Sequence, residues 1–206
     1  TGMVGQYAHG NEPSHHAAYL YAYLGKPWKT QELTRKIMQT LYTSKPDGLC
    51  GNEDCGQMSA WFVMSALGFY PVCPGDNQYV FGSPMFDKAT IHLENGKDIV
   101  IVAKNQSDIN KYIKSVKLNG NDYTKSYITY NDIKDGATIE FTMSSKPNME
   151  FGVAKEDCPT SKIDAKATTV PYFSTSSKVF RDSILLEIKC TSSEKDNAIY
   201  YTTDGS

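Results

Sequence analysis

Two acidic residues, Glu53 and Asp54, stand between glycines in the stretch GLCGNEDCGQMSAW, residues 48–61, just ahead of an apolar run. Carboxyl groups delivered to the start of a helix do one of two things. They cap it, by accepting hydrogen bonds from the free N–H groups of the first turn, or they work as general acid or base on a bound substrate. For an isolated Asp ahead of a helix the cap is the ordinary reading, so the surrounding pattern has to decide. The histidines offer less. His15 and His16 are adjacent in a helical pattern and project in different directions, which argues against a shared metal and for packed or hydrogen-bonded rings. His92 alternates with Ile91 and Leu93, so it is expected to face solvent, and Trp61 lies one turn into a buried helix, where packing is its expected role.

Composition narrows the classes of function. The chain has 206 residues, 40% of them hydrophobic, and a net charge of -2, enough apolar mass for a globular core. Lys and Arg number 21 against 23 Asp and Glu, with no basic cluster, so the electrostatic footprint of a nucleic-acid binder is missing. No apolar stretch approaches the roughly 20 residues that span a bilayer, and TGMVGQYAHG at the start lacks the basic end and apolar core of a signal peptide. The five cysteines, at 50, 55, 73, 158 and 190, are odd in number and irregular in spacing. Cys50 and Cys55 lack the second pair that a zinc site would want, and either a disulfide between them or two thiols fits the spacing.

The elements that must position Glu53 and Asp54 are helical. NEPSHHAAYLYAYLGKP predicts a first helix carrying Tyr19, Leu20, Tyr23 and Leu24, stopped by Gly25 and Pro27. Thr30 is placed to cap a second, TQELTRKIMQTLYT, with Leu33, Ile37 and Leu41 on one face and Glu32 in the first turn. A third, from about Gly56 to Leu67, is apolar on nearly all sides and is expected between other elements. After residue 75 the period changes to two. A hairpin is predicted around Asn95-Gly96, a second turn at Asn119 to Asn121, and a strand through Ile139, Phe141 and Met143, which together suggest an antiparallel sandwich. From about Glu156 a Ser-, Thr-, Pro- and Lys-rich segment reads as a linker into a further β unit with strands in SILLEIKC and AIYYTTDGS.

Four stretches carry a resemblance: HGNEPSHH at 9–16, GNEDCGQMSAW at 51–61, ALGFYPVCPG at 66–75 and YVFGSPMF at 79–86. In this order and spacing they resemble the C-terminal part of glycoside hydrolase family 92, the calcium-dependent, exo-acting α-mannosidases common in gut Bacteroidetes, over about residues 1–155. The resemblance implies an α+β multidomain fold. Residues 1–74 would be the last helices of an (α/α)6 catalytic barrel and 75–156 an antiparallel β-sandwich region. Residues 157–206, through VFRDSILLEIKC and IYYTTDGS, resemble a linker and a truncated chitobiase-like, Ig-like β module.

The resemblance also implies roles. Asp54 takes the general-base position of an inverting hydrolase, kept ionised by the start of the third helix, with Asn52 and Glu53 in support. His9 and Glu12 would contact the sugar or shape the ligand loop, while the Asn11 amide and the Gly10 carbonyl would serve Ca2+. Trp28, read as a loop residue after Pro27, is a candidate stacking platform for substrate. The family's general acid lies in a segment with no counterpart here, so the chain is expected to be a fragment that needs the upstream part of the same polypeptide and alone hydrolyses nothing. The implied function is removal of terminal, most readily α-1,2-linked, mannose from glycans or mannan by a protein exported to the periplasm, cell surface or medium. A carbohydrate-binding or adhesion module, or another (α/α)6 glycosidase or lyase, are the alternatives.

Overall fold

The structure is a computed structural model that describes residues 2–161, 170–175, 179–191 and 198–205. It divides into two units, Thr1–Thr160 and Ser161–Ser206. The first opens with a short antiparallel ribbon, β1 (Met3–Val4) and β2 (Tyr7–Ala8). The continuous first helix expected from the sequence is not formed. In its place two 3-10 turns, Glu12–Ser14 and Ala17–Tyr19, lead into a single α-helical turn, α1 (Leu20–Tyr23). Local bonds compete with the helical ladder here. Ser14 Oγ donates to the carbonyls of Ala8 and Asn11, both at 2.7 Å, and the His15 ring reaches back to the His9 carbonyl. Gly25, at φ 65°, stops the helix as expected. The apolar stripe is split, however, with Tyr19 fully buried and Leu24 71% exposed.

Helix α2 (Pro27–Leu41) starts three residues before the expected Thr30 cap, because a proline in the first turn is already set to the helical φ. Trp28 is therefore a half-buried residue of the first helical turn and not a loop residue, and Glu32 lies beyond that turn. Thr30 is buried inside the helix, its hydroxyl donating to the Tyr19 carbonyl at 3.3 Å. The buried face of α2 is unexpectedly polar. Gln31 accepts the backbone N–H of Ile113 at 3.0 Å, and the enclosed Arg35 donates to the carbonyls of Pro84 and Ser107. Burial lowers the Arg35 pKa. These bonds fasten the helical layer to the β region that follows, so the expected boundary at 74/75 falls inside one unit.

Helix α3 (Gln57–Leu67) runs close to its expected bounds, from Gly56 to a left-handed Gly68. Met58, Trp61, Ser65 and Ala66 are buried, whereas Val63 on the far side is 54% exposed, so only one face is covered by described residues. The chain then enters β3 (Phe69–Tyr70), β4 (Gln78–Phe81), the hairpin β5 (Lys88–His92) and β6 (Asp98–Lys104), the hairpin β7 (Tyr112–Leu118) and β8 (Asn121–Tyr123), and β9 (Tyr127–Thr129). A capped turn of helix, α4 (Tyr130–Ile133), leads to β10 (Ala137–Ser144). Both turns fall where alternation placed them, with Gly96 left-handed in the first and Asn119 and Gly120 in the second. His92 is exposed, paired with Asp98 at 2.7 Å.

The strands form a three-stranded sheet, β3-β4-β9, and a five-stranded one, β5-β6-β10-β7-β8, which share one core. The larger sheet is mixed, which corrects the antiparallel expectation: β10 lies parallel to β6, Ile139 opposite Ile101. The excursion through β7, β8, β9 and α4 supplies the crossover that a parallel neighbour requires. Ile139, Phe141 and Met143 point into the core, as their period of two demanded.

Glu156–Thr160, expected to be linker, is tied into the first unit. The Thr160 N–H donates to Gln78 Oε1 and Gln78 Nε2 returns a bond to the Thr160 carbonyl, both at 2.9 Å. Much of the remaining linker, 162–169 and 176–178, lies outside the described residues. In the second unit β11 (Tyr172–Phe173) pairs antiparallel with β12 (Ile188–Lys189), the part of SILLEIKC that forms a strand. Residues 192–197 lie outside the described residues, and 198–205 form no strand but turn where Thr202 Oγ1 accepts the Gly205 N–H at 2.8 Å.

Candidate active site

The two motif loops meet in the helical layer. Asp54, Cys55 and Gly56 adopt left-handed backbone in succession, at φ 45°, 59° and 94°, and the first two pay for it in strain because they carry Cβ atoms. This path decides between cap and chemistry. The free N–H groups of α3 are taken by the Asp54 and Glu53 carbonyls, each at 3.3 Å, and by the Glu53 carboxylate, which accepts Ser59 N–H at 3.1 Å and Ser59 Oγ at 2.9 Å. Glu53 is the side chain that caps. The Asp54 carboxyl is left over and projects from an exposed turn, beside an exposed Asn52.

It does not project into empty space. Hydrogen bonding to and charge repulsion from the neighbouring Glu12 carboxyl, with a smaller burial effect, raise the Asp54 pKa. Two carboxyl groups in contact either share a proton or surround a cation. Among the described residues Glu12 Oε1 is buried without a hydrogen-bond partner, the Asn11 side chain makes no capping bond to the turn it precedes, and the Gly10 carbonyl lies beside Gly51. These are hard oxygen donors of the kind a calcium-class ion takes, so the donor chemistry fits. Among the described residues no group of three His, Cys, Asp or Glu could hold a metal, so further ligands would have to be neutral oxygens or come from elsewhere. Cys50 and Cys55 are not bonded to each other.

Beneath the carboxyl pair lies a buried polar and aromatic cluster. His9 is fully enclosed by the described residues, which suits the second of its expected roles, shaping the ligand loop. Its Nδ1 lies 2.8 Å from Tyr7 Oη and its Nε2 2.6 Å from Tyr42 Oη, whose proton goes to the Met58 carbonyl at 3.1 Å. Because Tyr42 spends its only hydrogen on Met58, His9 Nε2 carries the proton and donates, and Tyr7 donates to Nδ1. Burial, with a smaller contribution from His15, pushes the His9 pKa down to about 3, which keeps the ring neutral. Burial also raises the Tyr7 and Tyr42 pKa values.

The loops are held at backbone contact. A Cβ on Gly51 would lie 2.6 Å from the Gly10 oxygen and 2.7 Å from its Cα, and one on Gly10 would lie 2.8 Å from the Cys50 oxygen. Gly51, Tyr7, Tyr42, Gln57 and Tyr70 were not singled out in the sequence. Only the glycines flanking the acidic pair offered a signal, since the partners lie up to 42 residues apart. Trp28 is not among the residues bonded to this cluster.

A carboxyl pair carried on helical turns over a buried hydrogen-bonded floor is suited to acid–base chemistry. The profile described as "Glycosyl hydrolase family 92 catalytic domain" matches residues 1–145, and the chain belongs to that family. It is 50% identical to a family 92 α-mannosidase from Bacteroides thetaiotaomicron, with a TM-score of 0.76 over 78% of this chain and 21% of that one. That enzyme has also been seen in complex with mannoimidazole. A family 92 inverting mannosidase from Bacteroides thetaiotaomicron VPI-5482 is 49% identical, at a TM-score of 0.72 over 76% of this chain and 21% of the other. An uncharacterized secreted glycosidase of Arthroderma benhamiae is 32% identical over 155 residues, 74% of this chain and 20% of its own length. The chain thus spans about a fifth of the length of these relatives. No helix among the described residues is long and apolar enough to cross a membrane.

Proposed function

We propose that the polypeptide carrying this segment is an exo-acting, inverting α-mannosidase, exported and most active on α-1,2-linked terminal mannose, in which Asp54 is the general base. The observation that carries this is the division of labour ahead of α3: Glu53 caps the helix and leaves the Asp54 carboxyl unused by it. Family membership and the mannosidase relatives support the substrate class.

Inversion needs an acid and a base about 6.5 to 9.5 Å apart, with a water between base and sugar. Glu12 neighbours Asp54 and raises its pKa, and we read it as a residue of the ligand loop, not as the partner acid. The acid comes from another part of the polypeptide. Ca2+, when bound, would hold sugar hydroxyls and favour a distorted ring, with the Asn11 amide, the Gly10 carbonyl and the orphaned Glu12 oxygen as its donors from this chain. Asp54, in its ionised form, takes the proton of the attacking water.

The test is mannose release from α-1,2-mannobiose by the full-length polypeptide, wild type beside Asp54→Asn, in calcium and in chelator. The expected result is calcium-dependent release that the substitution lowers by about 10³-fold. Undiminished release by Asp54→Asn would overturn the assignment.

A further inference from the structure

His15 touches both loops that carry the carboxyl pair. Its Nε2 is 3.0 Å from the His9 carbonyl and its Nδ1 3.0 Å from Gln57 Nε2. The His9 carbonyl can only accept, so Nε2 holds the ring proton, and the neutral ring then presents a lone pair at Nδ1. Gln57 meets that lone pair with one amide hydrogen and gives the other to Tyr70 Oη at 3.1 Å. The ring is 2% exposed and stacks on His9 with centroids 4.6 Å apart, and the indole of Trp61 donates to the His15 carbonyl at 3.1 Å.

These contacts span the site. The bond to His9 closes a loop of which Glu12 is part, and His15 N–H also bonds the Glu12 carbonyl at 2.9 Å. On the other side Gln57 begins α3, and its own N–H bonds the Asp54 carbonyl at 3.3 Å. One ring therefore joins the turn bearing Glu12 to the turn bearing Asp54, across 42 residues of sequence.

We propose that His15 is a positioning residue that holds the Glu12 turn against the Asp54 turn through its Nε2–H bond to the His9 carbonyl and its Nδ1 bond to Gln57. Its bearing on turnover rests on Asp54 being the general base. Its bearing on geometry does not.

Two substitutions separate the ring's bonds from its bulk. The side-chain nitrogen of His15→Gln sits where Nε2 was and keeps the bond to His9, while that of His15→Asn sits near Nδ1 and loses it. In the full-length polypeptide, His15→Asn is expected to open, in a crystal structure, the backbone contact between Gly10 and Gly51 where the two turns meet, and to lower kcat about 10²-fold, the usual cost of an ångström of misplacement. His15→Gln keeps the His9 bond but offers Gln57 no acceptor at the Nδ1 position, so it is expected to open the contact as well, with both variants melting at similar temperature. Where His15→Asn does not fold, Gln57→Met removes the opposite bond without touching the ring and is expected to open the same contact.

An intact contact in His15→Asn, or in Gln57→Met where that variant carries the test, overturns the proposal. So does a loss of kcat in these variants that merely follows a fall in melting temperature. If Asp54→Asn turns over normally while His15→Asn still opens the contact, the base assignment falls and the positioning role stands.

Discussion

The helical layer and the β region of the first unit are held together in different ways. Between the sheets the buried residues are almost all hydrocarbon, with Ile101, Ile113, Ile128, Ile139, Phe81 and Phe141 at its centre. Around α2 and α3 the buried set includes His9, His15, Thr30, Gln31, Thr34, Arg35 and Ser65, with Tyr19 and Trp61 bonded through their polar atoms. A hydrocarbon core is non-directional and tolerates any arrangement that keeps volume and pattern. A buried polar network has one correct geometry, because each unmet donor or acceptor costs about 1 to 3 kcal/mol. The β region thus supplies stability and the helical layer supplies position, which is what two carboxyl groups in contact require.

Three experiments would break or sharpen that contrast. The largest effect is expected in the β core, where Phe141 is fully buried and meets Phe81 edge-to-face at 5.1 Å. Phe141→Ala should cost about 3 to 5 kcal/mol in denaturant unfolding while leaving the turnover of the folded fraction unchanged. A loss of turnover beyond the loss of folded protein would show that the two regions are not separate in function.

Next comes the loop crossing. Gly51→Ala places a methyl group 2.6 Å from the Gly10 oxygen and should cost about 1 to 3 kcal/mol. It should also lower turnover about 10²-fold, because the crossing sets the carboxyl contact. Gly96→Ala in the β5–β6 turn is the control. Nothing lies within 4 Å of its added Cβ, so only its positive φ costs, about 1 kcal/mol, with no loss of turnover. Equal turnover in the two variants would remove the claim that the helical layer is the more exacting region.

The gentlest effect is a pH slope. His9 is held neutral when folded, with a pKa of about 3 against 6.5 when unfolded, so the unfolded chain binds more protons between those values. Stability should be constant above pH 6.5 and fall as pH drops from there toward 3. The ceiling for this one group is about 1.4 kcal/mol per pH unit. His9→Gln should flatten the slope in acid unfolding curves. An unchanged slope would mean that carboxylates elsewhere govern acid stability.

The sequence by itself determined the β hairpins, their turns and the inward residues of β10, because alternation with left-handed turn residues is local physics. It also determined α3, the stop at Gly25 and the membership of a glycoside hydrolase family, since these rest on contiguous stretches of residues. Only the tertiary structure decided that the first helix breaks into 3-10 turns, that α2 buries Arg35 and Gln31, and that β10 runs parallel to β6. It alone showed that Glu53 caps α3 while Asp54 faces Glu12, and that His9 is enclosed. Most of these outcomes depend on a hydrogen bond or contact between residues far apart in the chain, while the break in the first helix and the Glu53 cap depend on short-range side-chain bonds that an apolar pattern does not encode. Local propensity carries no information about which distant partner will satisfy a buried polar atom.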